Sequence, residues 1–161
     1  MRSFPPIKDL VTDVSWNFTV KRGIKPFRPR APDAPDGTWR MAQSDVDRVQ
    51  EFRKCIECFL CQDVCHVLRD HQLHDAFIGP RFLVHAAALE MHPLDVEDRV
   101  ADLRKVHGIG YCNITKCCTA VCPEHITITD NAIIPLKERV VDEFFDPVGR
   151  LLKVLSRRTE A

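Results

Sequence analysis

The apolar positions of this chain fall into short helical stretches divided by prolines and glycines. Leu10, Val14 and Phe18 recur at every fourth residue of IKDLVTDVSWNFTVKRG, which predicts an amphipathic helix ended by Gly23. Pro26, Pro29, Pro32 and Pro35 then stand at every third position, favouring an extended, polyproline-like connector laid on a surface. A stiff spacer accounts for it without a recognition role. Ser44, followed by Asp45 and Asp47, opens a second helix whose stripe Val46, Val49, Phe52 and Ile56 leads into CIECFLCQDVC. IGPRFLVHAAALEMH puts Pro80 in a first helical turn with Phe82, Ala86 and Leu89 facing inward. PLDVEDRVADLRKVHG reads as a short helix closed by Gly108. TDNAIIPLKERVVDEFF, properly beginning near Pro135, and DPVGRLLKVLSRR supply two more. No alternating pattern of useful length predicts a strand. The expected fold is all-α, with residues 1–40 as an N-terminal helix and Pro-rich connector and residues 41–161 as a helical domain.

Composition narrows the partners. The 161 residues suffice for one compact domain or two small lobes. Basic and acidic side chains number 23 each and are interspersed, so no basic face marks a nucleic-acid binder. No apolar run approaches the ~18 residues of a membrane span, and MRSFPPIKDL lacks the apolar centre of a signal peptide. A soluble, intracellular chain is expected, compatible with a seat on a membrane-bound partner.

The cysteines carry the chemistry. All eight lie in two windows, CIECFLCQDVC (Cys55–Cys65) and CNITKCCTAVC (Cys112–Cys122). The first reads C-x2-C-x2-C-x3-C. The second keeps that frame but has Thr115 opposite Cys58, and adds Cys117 out of frame. Disulfides between cysteines so close in sequence would close only tiny loops, so the clustering points to metal ligation. Zinc is the plain alternative, yet it favours separated C-x2-C pairs, and three thiols within seven residues suit a tetrahedral ion poorly. An iron–sulfur cubane is about one helical turn wide, and thiols at i, i+3 and i+6 reach three of its corners. In ferredoxin-type pairs the fourth cysteine of each run ligates the other cluster. The frame then predicts a [4Fe–4S] cluster on Cys55, Cys58, Cys61 and Cys122, and a second site on Cys65, Cys112 and Cys118.

Thr115 occupies the place of the second site's missing ligand. A hydroxyl holds iron far less well than thiolate, so that corner is expected to be lost, leaving [3Fe–4S]. Two other readings stay open. Cys117 would restore a fourth thiolate if it swung inward, although neighbouring side chains on a helix diverge by ~100°; otherwise it is a small buried apolar residue. A labile four-iron site with water on the open corner would want a substrate pocket, for which NITK offers only Lys116. Cluster type and net charge help set reduction potential, so two unlike clusters form a wire with a built-in difference between its ends.

From about Phe4 to the last helix the chain resembles the C-terminal, helical ferredoxin-like part of the iron–sulfur subunit of the succinate dehydrogenase/fumarate reductase family. The matching pieces are IKDLVTD, the cysteine run Cys55–Cys65, FIGP at Phe77–Pro80, and the run Cys112–Cys122 followed by Pro123. The resemblance implies the same cluster ligands as the frame. It also implies an electron-transfer subunit with no substrate chemistry of its own, partnered by a flavoprotein subunit and membrane anchor subunits. Quinone would bind near the [3Fe–4S] cluster, and the chain would lie peripherally on the cytoplasmic side of the cell membrane. Family members carry a preceding [2Fe–2S] domain, which is expected to be absent from this chain. CHVLRDH lacks the family's proline and tryptophan after the fourth cysteine, and Asn113 stands where many members have histidine, so the usual quinone contacts do not transfer. The residues do not distinguish succinate oxidation from fumarate reduction.

Two further readings belong to other classes. One is a two-cluster subunit of a glycerol-phosphate, lactate or heterodisulfide-type oxidoreductase, against which Thr115 argues because such subunits keep both runs intact. The other is a zinc-stabilised interaction domain. His66, His71 and His74 fit interface or hydrogen-bonding roles better than a proton relay. Trp16 and Trp39 read as packing anchors.

Overall fold

The computed structural model describes residues 2–147 and Gly149. Most of the predicted last helix, DPVGRLLKVLSRR, lies outside the described residues. The chain opens with an antiparallel ribbon, β1 (Pro6–Lys8) and β2 (Val11–Thr12), turned by Asp9 in a left-handed conformation (φ 50°). Helices α1 (Ser15–Gly23) and α2 (Gln43–Gln50) follow, the latter running into a 3₁₀ turn, Glu51–Lys54. Next come α3 (Leu60–Asp63), α4 (His66–Arg69), α5 (Gly79–Glu90) and α6 (Val100–Lys105). A 3₁₀ turn (Ile109–Tyr111), α7 (Cys117–Ala120) and a π-helical turn (Ile128–Ile133) lead into α8 (Ile134–Phe144).

The all-α expectation is corrected by the ribbon, and the first helix is corrected with it. Prolines 5 and 6 favour extended backbone, and the Asp13 carboxylate accepts the Ser15 N–H (2.8 Å), so the helix begins only at Ser15. Leu10 is left 98 % exposed in the ribbon turn. Phe18 is half exposed, and the residue α1 buries is Asn17, which meets the Gln62 amide (3.5 Å). The helix docks through a polar contact that apolar periodicity cannot report. Gly23 ends it as expected.

The core is built around α5. This helix packs against the π-helical turn, α3 and the 3₁₀ turn at 51–54, and Phe82, Leu83, Ala86 and Ala87 are buried in it. Pro80 sits in its first turn. The stripe of the second helix holds at Val49 and Phe52 but fails at Ile56, which is exposed because the helical path stops at Lys54 and Cys55 is extended.

The proline-rich connector is docked rather than free. Arg30 N–H donates to Leu94 O (2.8 Å) and Val96 N–H to Arg28 O (3.0 Å), pairing it with residues 94–96. Buried Arg99 grips the same segment, donating to Lys25 O (2.9 Å), Pro26 O (2.7 Å) and the Asp95 carboxylate (2.9 Å). Extended backbone without internal hydrogen bonds leaves its carbonyls free for such a clamp. Trp39 reaches back to Arg30 O (2.9 Å), and Trp16 packs edge-on to His74 and Phe82.

Candidate metal centre

The two cysteine runs follow one backbone path twice. A 3₁₀ turn delivers Cys55 (φ −66°, ψ 113°) in the first and Cys112 (φ −71°, ψ 119°) in the second. Two left-handed residues follow in each: Glu57 and Phe59 on either side of Cys58, Ile114 and Lys116 on either side of Thr115. A single helical turn, α3 or α7, then carries Cys61 or Cys118. Left-handed conformations cost a non-glycine residue about 1–3 kcal/mol each. Paired in both copies, they curl each loop so that its frame positions face one hollow.

The hollows draw on both runs. The first is lined by Cys55, Cys58 and Cys61 and, from the second run, Cys122. The second is lined by Cys112, Thr115 and Cys118 and, from the first run, Cys65. The crossing follows from α3 packing against α7, which sets the end of each run beside the other's loop. Among the described residues no three His, Cys, Asp or Glu side chains converge as one metal ion requires. The thiols stand instead around hollows, and all eight are free of disulfides. Soft donors spaced around a hollow fit an iron–sulfur cage, whose inorganic sulfide fills the middle.

Burial favours the protonated thiol at Cys61, Cys65 and Cys118 in the cluster-free polypeptide. Burial pushes the Cys61 thiol up, reinforced by Cys55, Cys118 and Cys58 around it. Burial likewise lifts Cys65 to about 11. It raises Cys118 too, opposed by the hydroxyl of Thr129, which lies 3.4 Å from its sulfur. Ligation must therefore expel protons from these sites.

The remaining predicted residues fall out unevenly. Cys117 is half-buried on the rim of the second hollow, not buried as a small apolar residue; its sulfur lies 3.3 Å from Thr115 Oγ1 and 3.5 Å from Val64 O. His66 lines that hollow and stacks edge-on near His71. His74 lies apart, against Ser3 O (2.8 Å) and Trp16. Sequence reasoning missed Arg81, which lines the first hollow while 5 % exposed, and Glu57, which binds it (2.7 Å). Their signal was an arginine in the otherwise apolar stretch GPRFLV, directly after FIGP.

Residues 51–126 match the family described as the 4Fe-4S dicluster domain. The chain is 32 % identical over 133 residues to the fumarate reductase iron–sulfur subunit of Mycobacterium tuberculosis, covering 78 % of this chain and 51 % of that protein. It is 25 % identical over 140 residues to the succinate dehydrogenase iron–sulfur subunit of Paracoccus denitrificans, covering 86 % and 53 %. Among solved structures, a chain of the Mycobacterium smegmatis Sdh1 complex in the apo form matches with a TM-score of 0.86 and 59 % identity, over 91 % of this chain and 62 % of that one. The chain spans about half the length of the curated relatives it matches. The chain thus carries a 4Fe-4S dicluster domain and, over most of its length, is similar to iron–sulfur subunits of the succinate dehydrogenase/fumarate reductase family.

Proposed function

We propose that this chain is an electron-transfer subunit that relays electrons between a flavoprotein acting on succinate or fumarate and a membrane quinone. Cys55, Cys58, Cys61 and Cys122 would hold a [4Fe–4S] cluster, and Cys65, Cys112 and Cys118 a [3Fe–4S] cluster, with Thr115 at the vacant ligand position. Bound there, the clusters would supply one-electron oxidation and reduction. The chain itself breaks no substrate bond. Its residues fix the two cages side by side, exclude water from them and set their potentials.

The observation that carries this reading is the composition of the two hollows: each takes the last cysteine of the opposite run, and only the second has a threonine in the frame. Shared loops of this kind hold two clusters close enough for direct electron exchange. Around the second hollow, Tyr111 and Ile114 are exposed, and an open groove lined by Val64, His66, Arg69, Thr115 and Val121 abuts it. Those features support a partner and quinone at that end. No helix among the described residues is long and apolar enough to cross a membrane, so partner subunits would hold the chain at the bilayer, on its cytoplasmic side.

Electron paramagnetic resonance of the oxidised, cluster-loaded protein tests the reading. A three-iron signal that disappears on mild reduction, with a four-iron signal emerging at lower potential, is expected. Zinc without acid-labile sulfide, or two four-iron signals and no three-iron signal, would overturn it.

A further inference from the structure

Arg81 is the buried cation of the first hollow. It projects from the first turn of α5, is 5 % exposed, and lines the hollow together with Cys55, Cys58, Cys61 and Cys122. Its backbone N–H is pinned by Gln62 Oε1 (3.2 Å), and its Nη2 donates to Glu57 (2.7 Å), the residue before Cys58. Glu57 also binds Lys21 (2.6 Å), so the three side chains carry a net positive charge. Arg81 Nε is fully buried yet has no hydrogen-bond partner among the described residues. A buried, unpaired N–H is costly, and more so on a charged group such as guanidinium. Beside four thiolates, its natural acceptor is a sulfur.

We propose that Arg81 donates through Nε to a sulfur of the cluster in the first hollow and holds that cluster's reduction potential up, with Glu57 limiting the effect. The inference rests on the cluster assignment proposed above. A four-iron cage with four thiolates is anionic in both oxidation states, and reduction adds one electron without making or breaking a bond. A nearby cation therefore stabilises the reduced state more than the oxidised one, and a sulfur that accepts a hydrogen bond does the same. Low dielectric strengthens the interaction, because both partners are shielded from water. The second hollow has no buried arginine in its described lining: Lys116 there is exposed and bound to Asp130 (2.8 Å), and Lys137, outside the lining, donates its ammonium N–H to the Cys112 carbonyl. Arg81 thus acts on one cluster only and narrows the potential step between the two.

Redox potentiometry read by electron paramagnetic resonance, on the cluster-loaded full chain with its partner subunits, tests this. Arg81→Gln should lower the midpoint of the four-iron signal and leave that of the three-iron signal in place, with Arg81→Lys falling between Arg81→Gln and the native protein. Glu57→Gln, which frees the guanidinium of its counter-charge, should shift the same midpoint upward. A purely structural role for Arg81 would not produce shifts of opposite sign. An unmoved four-iron midpoint in the Arg81 variants overturns the proposal; if Arg81→Gln fails to load cluster, an unmoved midpoint in Glu57→Gln does so. Absence of any four-iron signal from the native protein would instead overturn the cluster assignment.

Discussion

Gln62 and Gly79 are fitted to one another so closely that neither tolerates change. Gly79 has φ +80°, and a Cβ there would lie 2.0 Å from Gln62 Oε1 and 2.7 Å from its Cδ. Gln62 cannot retreat, being 0 % exposed, with Nε2 donating to Ile78 O (3.0 Å) and Oε1 accepting from Arg81 N–H (3.2 Å). One amide thus joins the helical turn that carries Cys61 to the first turn of the central helix. Gly79→Ala should cost about 2–4 kcal/mol, from left-handed strain and overpacking together. Thermal unfolding and the iron content of purified protein check it, and a variant with native stability and iron would contradict the fit.

The docked connector gives a second expectation. Arg99 and Asp95 are each 1 % exposed at the side chain and lie 2.9 Å apart. Removing Asp95 leaves buried Arg99 with Glu90 (3.8 Å) as its remaining counter-charge, so Asp95→Ala should destabilise by about 1–3 kcal/mol. Limited proteolysis should also open the segment at residues 25–30 that Arg99 clamps. Native resistance to both denaturant and protease would show the clamp to be idle.

Acid should weaken the fold through His107. It is 4 % exposed, its Nδ1 has no partner among the described residues, and burial holds it below the ordinary 6.5, with Asp102 opposing and Lys25 adding to the shift. The folded state prefers the neutral ring. Its contribution is fully present above about pH 6.5 and is lost as pH falls below that toward the folded value. Denaturant midpoints compared at about pH 7.5 and about pH 5.5 should fall in the native chain and fall less in His107→Leu. Burial also lowers His85 and His92, so the slope should shrink rather than vanish. Equal slopes in the two proteins would remove His107 from the account.

Much of the lining of the candidate site was legible in the sequence because cysteine spacing is chemistry written directly in the chain. The frame named Cys55, Cys58, Cys61, Cys65, Cys112, Cys118 and Cys122, and the fold lines the two hollows with those residues. Pro80 and Pro135 marked their helix starts because proline suits a first turn wherever the rest of the chain goes. Less legible was anything fixed by distant polar contacts. Asn17 meets Gln62, Arg99 reaches Lys25 and Arg81 reaches Glu57 across gaps of 45, 74 and 24 residues, and no local pattern encodes such pairings. The ribbon at Pro6–Thr12 escaped because its strands are too short to alternate and are largely exposed.

Thr115 stands between Ile114 and Lys116 as Cys58 stands between Glu57 and Phe59, all four neighbours being left-handed (φ 57–62°). A thiol placed there should face the hollow as Cys58 does. Thr115→Cys should therefore abolish the oxidised three-iron signal, create a second four-iron signal and lower the potential of that site. A three-iron signal surviving unchanged would mean that Thr115 does not occupy the open corner.

The central claim is that the last cysteines of the two runs trade hollows. Paired electron paramagnetic resonance spectra of Cys65→Ala and Cys122→Ala test it most directly. Cys65→Ala should lose the three-iron signal while keeping the four-iron one, and Cys122→Ala should do the reverse. Loss of the four-iron signal in Cys65→Ala, with the three-iron signal intact, would contradict it.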